Sequence, residues 1–594
     1  MAELMGELRR TCYCGEVSES DIGKEIVVAG FTQRQRDKGN LIFIDLRDYT
    51  GIVQLTFDDT TDRSVFDKAK SVRSEYVLIA RGEVRRRESV NPELKTGTVE
   101  IFPTELRILA AAQTPPFHIG DESVGEDIAL KYRYLALRGE KLQRNLRTRA
   151  EIAKVTRDYF HDNGFVEIDT PMLIKSTPEG ARDYLVPARL HEGKFYALPQ
   201  SPQIYKQLLM ISGFDRYIQL ARCFRDEDGR ADRQPEFTQI DMEMSFVDVE
   251  DILAVGEGYI RRLMKEIKGI EMPEHFPRLT YRDAMGRYGS DKPDTRFGME
   301  ITNISDLVRD CGFAVFSGAV QSGGSVRGIV AKNAAAILTR KEIDKLTEQA
   351  RGIGAKGLAY VRWVDEAPSC SFAKFFSEEE LAVLLGALGC EKGDVALIIA
   401  DKDKVTLPVL GQLRLTVAKK LDIIPEGWNY LWITEFPFFE YDEDSETWVA
   451  MHHPFTMPMD ECIEYLDTAP EKVRAKAYDL VLNGVELCSG SMRITDFELQ
   501  QRMFEALGLT EAEIEAKFGF LVNAYRYGAP PHGGMGIGID RLSMLLCGAD
   551  SLRDVTAFPK IKDASEPMSD CPAAVDPAQL EELHIALKPS AKEE

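Results

Sequence analysis

The sequence predicts a multidomain α+β chain: a small N-terminal β-barrel, then a larger antiparallel sheet flanked by helices and interrupted by an inserted α+β segment. Three features carry that prediction. The first 110 residues hold five short β-branched or aromatic runs separated by turn residues. From Tyr217 to Phe246, two strand-like runs flank a charged loop, and the second alternates strictly. Near the C-terminus Gly534, Gly536 and Gly538 fall at every second position, which leaves one face of a strand bare for a flat ligand or another backbone.

Whole-chain properties bound the rest. A chain of 594 residues holds about three or four domains. With 44% hydrophobic and 29% charged residues it is ordinary soluble globular material. No apolar run reaches membrane-span length, and the start is no signal peptide. Ten scattered cysteines without a C-x-x-C pair point to reduced thiols and a cytoplasmic setting, and away from a zinc site. The net charge of −23 opposes nucleic-acid binding in general. Its distribution does not: residues 1–110 net only −2 and carry the clusters Arg34/Arg36/Lys38 and Arg85/Arg86/Arg87. A local basic stripe holds a polyanion even on an acidic protein.

The barrel strands are expected at 26–31, 41–46, 51–55, 76–80 and 99–102, with a helix at 63–73 between the third and fourth. That arrangement fits an OB-type barrel, in which aromatics beside a basic groove stack single-stranded bases. Phe31 and Phe43, next to Arg34 and Arg36, supply the residue types. Gln113 to Phe117, with its paired prolines, reads as a linker. Leu142 to Asn163 has helical spacing and stops at Gly164. Phe165 to Leu173 reads as a strand broken by Pro171, hence an edge or an interface, such as one between identical subunits. Thr177 to Asp183 is a charged loop.

Ser201 is placed to N-cap the next helix, with Pro202 in its first turn. Lys206 lies one turn inside, where the helix dipole disfavours a cation and an anionic ligand would account for it. In the alternating run, Thr238, Ile240, Met242, Met244 and Phe246 share one face. Gln239, Asp241, Glu243 and Ser245 share the other, a polar floor suited to a charged ligand. A helix follows at 249–268, and residues 299–410 read as an insertion. A strand-turn over Asp479 to Glu486 would bring two carboxylates together. The final glycine run lacks the G-x-G-x-x-G dinucleotide spacing.

Singly these signals are weak; their order is specific. The edge-strand Pro171, then Phe224-Arg225-Asp226-Glu227, then the alternating glycines ending in Asp540-Arg541 resemble the three motifs of class II aminoacyl-tRNA synthetases. FIDLRD, STPEGARDY, QSPQIYKQLL, RADRQPEFTQIDMEMSF and MHHPFT resemble the bacterial aspartyl branch, nearly end to end. Asp540 stands where many class members have Glu, although the aspartyl branch also tends to Asp.

The resemblance implies an OB anticodon-binding domain at 1–110 and a hinge at 111–140. It implies a class II catalytic domain at 141–298 and 411–560, an insertion at 299–410 and a C-terminal extension at 561–594. It implies a homodimer, and ATP-dependent activation of L-aspartate followed by transfer to tRNA-Asp. Arg225 would hold the α-phosphate and α-carboxylate, Arg541 the γ-phosphate, and Phe237 with Arg541 the adenine. Asp226, Glu227, Gln234, Gly538, Ile539 and Asp540 would complete the nucleotide contacts. Asp479 and Glu486 would hold Mg2+. Lys206 and Arg493, assisted by His452 or His453, would take the side-chain carboxylate. Glu179, Ser201, Gln203 and Asp241 would meet the ammonium group. Gln33, Arg36, Lys38, Phe43, Gln54 and Glu100 match anticodon-contacting positions, Phe43 as the stacking ring. Some relatives charge tRNA-Asn as well, and Lys38, in the loop concerned, is assigned to neither type. An asparaginyl or lysyl synthetase and a non-catalytic tRNA-binding relative are the competing readings.

Overall fold

The computed structural model describes all residues except Met1, Pro178, Asp228, Ala231, Asp365, 443–445 and 589–594. Pro178 of the charged loop and the last six residues of the expected C-terminal extension therefore lie outside the described residues. The chain forms two compact units: Met1–Ala150 with Asp228–Gln234 and Ser543–Val575, and Glu151–Glu227 with Pro235–Leu542 and Asp576–Glu594.

In the first unit, strands Glu25–Asp37, Ile42–Asp48, Gly51–Phe57, Val77–Arg86 and Val99–Ala110 close a five-stranded barrel. Helix Arg63–Ser71 follows the third strand, capped by the Asp62 side chain. Alternate residues (Ile42, Ile44 and Leu46; Val53, Leu55 and Phe57) fill the interior. Closure removes the free edges that short strands otherwise expose. Residues 111–117 have no regular structure, as their prolines predict. Beyond them Arg133, buried, donates to the carbonyls of Arg553, Thr556 and Ala557 and ties down the late segment of this unit.

The second unit is built on an eight-stranded sheet. Its order is Arg278–Thr280, Tyr430–Thr434, Ala477–Leu482, Val485–Met492, His532–Gly538, Glu236–Ser245, Arg216–Phe224 and Val166–Glu167. The six inner strands pair antiparallel, and one parallel strand lies at each edge. Pro171 follows an edge strand as expected, but only Val166–Glu167 pairs, because the proline forbids a longer ladder. The alternating run forms Glu236–Ser245, and both of its faces are buried from Ile240 onward. Phe246 departs from its expected inward place: the strand ends at Ser245, Phe246 turns to φ +57° and its ring is exposed.

The glycine strand His532–Gly538 lies between Glu236–Ser245 and Val485–Met492. A Cβ on Gly534 would come within 2.0 Å of the Met242 carbonyl and 2.2 Å of a Glu243 carboxylate oxygen, so only glycine fits between those strands.

The insertion is a five-stranded antiparallel sheet in the order Thr302–Asn303, Ser325–Ala331, Val395–Asp401, Ala359–Arg362 and Ser369–Cys370, with helices packed on it. The expected boundary at 410 falls inside helix Asp403–Leu421. Its Val409, Leu410, Leu413 and Val417 belong to the insertion's core, so the helix carries that domain past the composition change.

Candidate functional site

Four adjacent strands of the large sheet end on the same side. Phe224 pairs with Glu236, Gln239 with Gly538 and Ile537 with Cys488. This register gathers Arg225, Phe237, Arg541 and Glu486 at one end of a shared floor. The Arg225 guanidinium lies 5.1 Å from the centre of the Phe237 ring. Its buried Nε meets no hydrogen-bond acceptor among the described residues. Arg541 Nη1 donates to the Glu486 carbonyl at 3.0 Å and lies 3.8 Å from its carboxylate.

Asp479 and Glu486, on strands joined by a two-residue turn, do come together. Asp479 is held well above the usual carboxylate range, first by burial and then by the Glu486 charge. One of its oxygens is buried with no donor among the described residues.

Further along the floor the charges are paired. Helix Gln203–Ile211 delivers Lys206 to the polar face of Glu236–Ser245, 2.8 Å from Asp241 and 3.2 Å from Glu243. The carboxylates that explain this buried lysine are thus the protein's own, where the sequence suggested a ligand. From the neighbouring strand, Arg493 grips Glu243 with Nε at 2.9 Å and Nη2 at 3.2 Å. Its Nη1 donates to Ser491 Oγ at 2.5 Å and to His453 Nε2 at 2.7 Å. Burial would raise Glu243, but Arg493 and Lys206 hold it down at about 2. Burial foremost lifts Asp241 above its ordinary value. His453, buried and facing the Arg493 charge, is held well below its ordinary value and stays neutral. His452 is lowered to about 4, chiefly by burial, and packs edge-on against Phe436.

At the rim, Ser201 donates to Glu179 at 2.5 Å, and burial pushes Glu179 up to about 7. Ser201 is not the N-cap: the helix starts at Gln203 with Pro202 at the cap, although Ser201 Oγ still accepts from Gln203 N–H at 3.3 Å. Gln203 Nε2 is buried without an acceptor among the described residues.

Other expected nucleotide contacts are engaged elsewhere. Asp226 donates its N–H to the Arg182 carbonyl and pairs loosely with that side chain at 3.7 Å. Gln234, in the first unit, spends both ends of its amide on the Lys560 backbone. Asp540 accepts from Thr238 N–H at 2.8 Å, and Ile539 is buried. Glu227 is partly buried, and a Cβ on Gly538 would meet the Arg541 side chain at 3.8 Å, an ordinary contact.

Two residues escaped the sequence reading. Glu243 was placed on the polar face without a role, although its two-residue spacing from Asp241 was the available signal. Lys292, 3.3 Å from Glu486, lies in a loop whose sequence carries no chemical signature.

In the barrel, Arg36, Phe43, Gln54 and Glu100 form one network. Arg36 Nη2 donates to Asp45 at 2.7 Å and to Gln54 Oε1 at 3.0 Å, and its guanidinium lies 5.5 Å from the Phe43 ring centre. Arg87 also donates to Gln54 Oε1, while Gln54 Nε2 and Thr56 donate to the buried Glu100. These contacts fix the Gln54 amide in one orientation. Gln33, exposed, accepts from Arg47, and Lys38 is exposed. Phe31, the other expected stacking ring, has the Arg138 guanidinium over it at 4.1 Å.

Comparison with known proteins agrees with this layout. Residues 125–562 match the family model for tRNA synthetases class II (D, K and N), and residues 15–109 match that for the OB-fold nucleic acid binding domain. The chain is 56% identical to an aspartate–tRNA ligase of Ruminiclostridium cellulolyticum, over 99% of this chain and 100% of that protein. It is 55% identical to an aspartate–tRNA(Asp/Asn) ligase of Lachnoclostridium phytofermentans, over the full length of both. Among solved structures, asparaginyl-tRNA synthetase from Pyrococcus horikoshii with asparaginyl-adenylate matches with TM-score 0.58 at 19% identity, covering 93% of this chain and 98% of that one. That likeness is one of fold.

Proposed function

The chain belongs to the class II tRNA synthetases of the D, K and N group, and from that premise we propose that it activates L-aspartate with ATP and transfers it to the 3′-terminal ribose of tRNA-Asp. The observation that carries this reading is a set of buried polar atoms about one sheet floor that meet no hydrogen-bond partner among the described residues. They are Arg225 Nε and Gln203 Nε2 as donors and Asp479 Oδ1 as acceptor. Buried polar groups are rarely left unpaired, and several gathered at one place suit a ligand, ion or water that completes them.

The chemistry needs no protein nucleophile. The substrate's α-carboxylate attacks the α-phosphorus, and the protein's task is positioning and charge neutralisation. Arg225 would steady the α-phosphate, and Arg541 the far end of the triphosphate. Asp479 and Glu486 fit a Mg2+ ion, since they offer hard oxygens and Asp479 Oδ1 meets no donor among the described residues. Among the described residues no third metal-ligating side chain joins them, which suits an ion that shares its shell with water and phosphate. When bound, the ion would neutralise phosphate charge.

Aspartate selectivity would rest on the two buried cations of the cluster. Lys206, Arg493, Asp241 and Glu243 cancel one another when all are ionised. A β-carboxylate would approach Lys206 and Arg493 as a counter-charge, whereas asparagine would bring no charge to them and lysine a like one. Unpaired buried charge is expensive, so this favours aspartate over the other substrates of the group.

In the barrel, Phe43 would stack an anticodon base while Arg36, Gln54 and Glu100 read polar edges. The edge around Pro171, where Val166 and Leu173 are exposed, is the surface we propose for a second copy in a homodimer. Ten free cysteines suit the cytoplasm. Pyrophosphate exchange with aspartate, asparagine and lysine tests the assignment. Aspartate alone should support exchange, and tRNA binding without aspartyl-adenylate formation would overturn it.

A further inference from the structure

The loop Ser290–Asp294 brings a cation to the carboxylate proposed to bind metal. Lys292 Nζ lies 3.3 Å from Glu486 and 3.6 Å from its neighbour Asp291. The loop is held from both sides. Gly289, at φ +66°, packs so closely on the insertion helix that a Cβ would come within 2.1 Å of the Leu407 carbonyl. Across the same contact a Cβ on Gly411 would come within 2.4 Å of the Gly289 carbonyl. On the other side Pro293 and Asp294 are buried, and Asp294 pairs with Arg296 at 2.7 Å. The backbone under Lys292 is therefore fixed, while its side chain is 43% exposed on a flexible four-carbon stem.

We propose that Lys292 is a resident counter-ion for Glu486, which a divalent cation displaces on binding. This rests on the reading of Asp479 and Glu486 as metal ligands. With the metal away, the ammonium offsets a carboxylate that stands beside the buried Asp479. With the metal present, the ammonium would stand beside a divalent charge that repels it, and the lysine, already half in water, swings out. The pairing is partly exposed and longer than an ideal ion pair, so displacing it costs little. The lysine should weaken metal binding by no more than about five-fold. Lys292 is thus a positioning residue: it sets metal affinity and keeps Glu486 in place without touching the reacting atoms.

The test is titration of Mn2+ in the presence of a non-hydrolysable ATP analogue, with free Mn2+ followed by electron paramagnetic resonance, on full-length wild type, Lys292→Met, Lys292→Arg and Glu486→Gln. Lys292→Met should tighten Mn2+ binding by about two- to five-fold, Lys292→Arg should resemble wild type, and Glu486→Gln should weaken binding. Unchanged or weaker Mn2+ binding in Lys292→Met would refute the counter-ion role; weaker binding would instead assign the lysine to phosphate contact. No Mn2+ binding by wild type would remove the metal reading itself, and this inference with it.

Discussion

The two ends of the sheet floor solve opposite electrostatic problems. At the end proposed for the amino acid, Lys206, Asp241, Glu243 and Arg493 are all buried and form ion pairs with one another within 2.8–3.2 Å. At the end proposed for the nucleotide, Arg225 Nε meets no acceptor among the described residues, and Arg541 Nη1 donates to the Glu486 carbonyl and lies 3.8 Å from its carboxylate. A small substrate with one discriminating charge calls for a cluster that is neutral until it enters. A polyanion calls for cations within reach of solvent. On this proposal the same residue type, arginine, would serve fold stability at one end and ligand binding at the other.

Removing charge from each end should separate these roles. Glu243→Gln would leave Arg493 and Lys206 facing a single carboxylate in a site closed to water. Breaking such a buried pair costs about 3–5 kcal/mol, and the unfolding midpoint of the catalytic unit in urea should fall accordingly. A stability close to wild type would mean that the cluster relaxes or takes in water. Arg225→Ala removes a charge that reaches Glu179 through space rather than by a hydrogen bond, so stability should fall little while kcat for pyrophosphate exchange drops about 10²–10³-fold. A variant that unfolds instead would move Arg225 to the structural side of the comparison.

The barrel offers the same contrast in aromatics. Phe43 and Phe31 read alike in the sequence, each a phenylalanine near arginines, yet Arg138 already covers the ring of Phe31. Phe43→Ala should raise KM for tRNA by about 10- to 100-fold, the worth of one stacked base, and leave adenylate formation intact. Phe31→Ala should change KM far less. Equal effects of the two substitutions on tRNA would show that Arg138 moves aside.

How far the site was legible follows from where its contacts run. The strand Glu236–Ser245 announced itself because a period of two is local, and the glycines 534, 536 and 538 because a missing side chain is visible in any context. Asp479 and Glu486 were legible for the same reason, being joined by a tight turn. The pairing of Lys206 with Asp241 was not, since nothing local says which carboxylate a helix will deliver a lysine to. Glu243 lay in view on the polar face, but its partner Arg493 is 250 residues away. Lys292 depends on an insertion helix more than a hundred residues downstream. The limits at Phe246 and Gln234 have the same origin: a strand end and an amide orientation are decided by neighbours that periodicity does not name.

Acidity gives the smallest and finest separation of the two ends. Glu243, held down at about 2, lends stability that is whole above the ordinary carboxylate pKa and is lost as pH falls from about 4.5 towards about 2. His452, neutral in the fold and lowered to about 4, adds a loss in the same direction, beginning below about 6.5, because the unfolded chain takes up the proton first. Glu179, at the rim, has the opposite sign. Burial raises it to about 7, so its contribution is whole at acid pH and fades as pH rises through that value. If its carboxylate receives the substrate's ammonium group, only the ionised form binds well. KM for aspartate should then fall by at most about ten-fold per pH unit up to neutrality and level off above it. Glu179→Gln should flatten the profile while the acid unfolding set by Glu243 and His452 stays where it was. A profile that keeps its shape in that variant would transfer the titration to another group on the floor, with Asp241, also raised by burial, as the residue to substitute next.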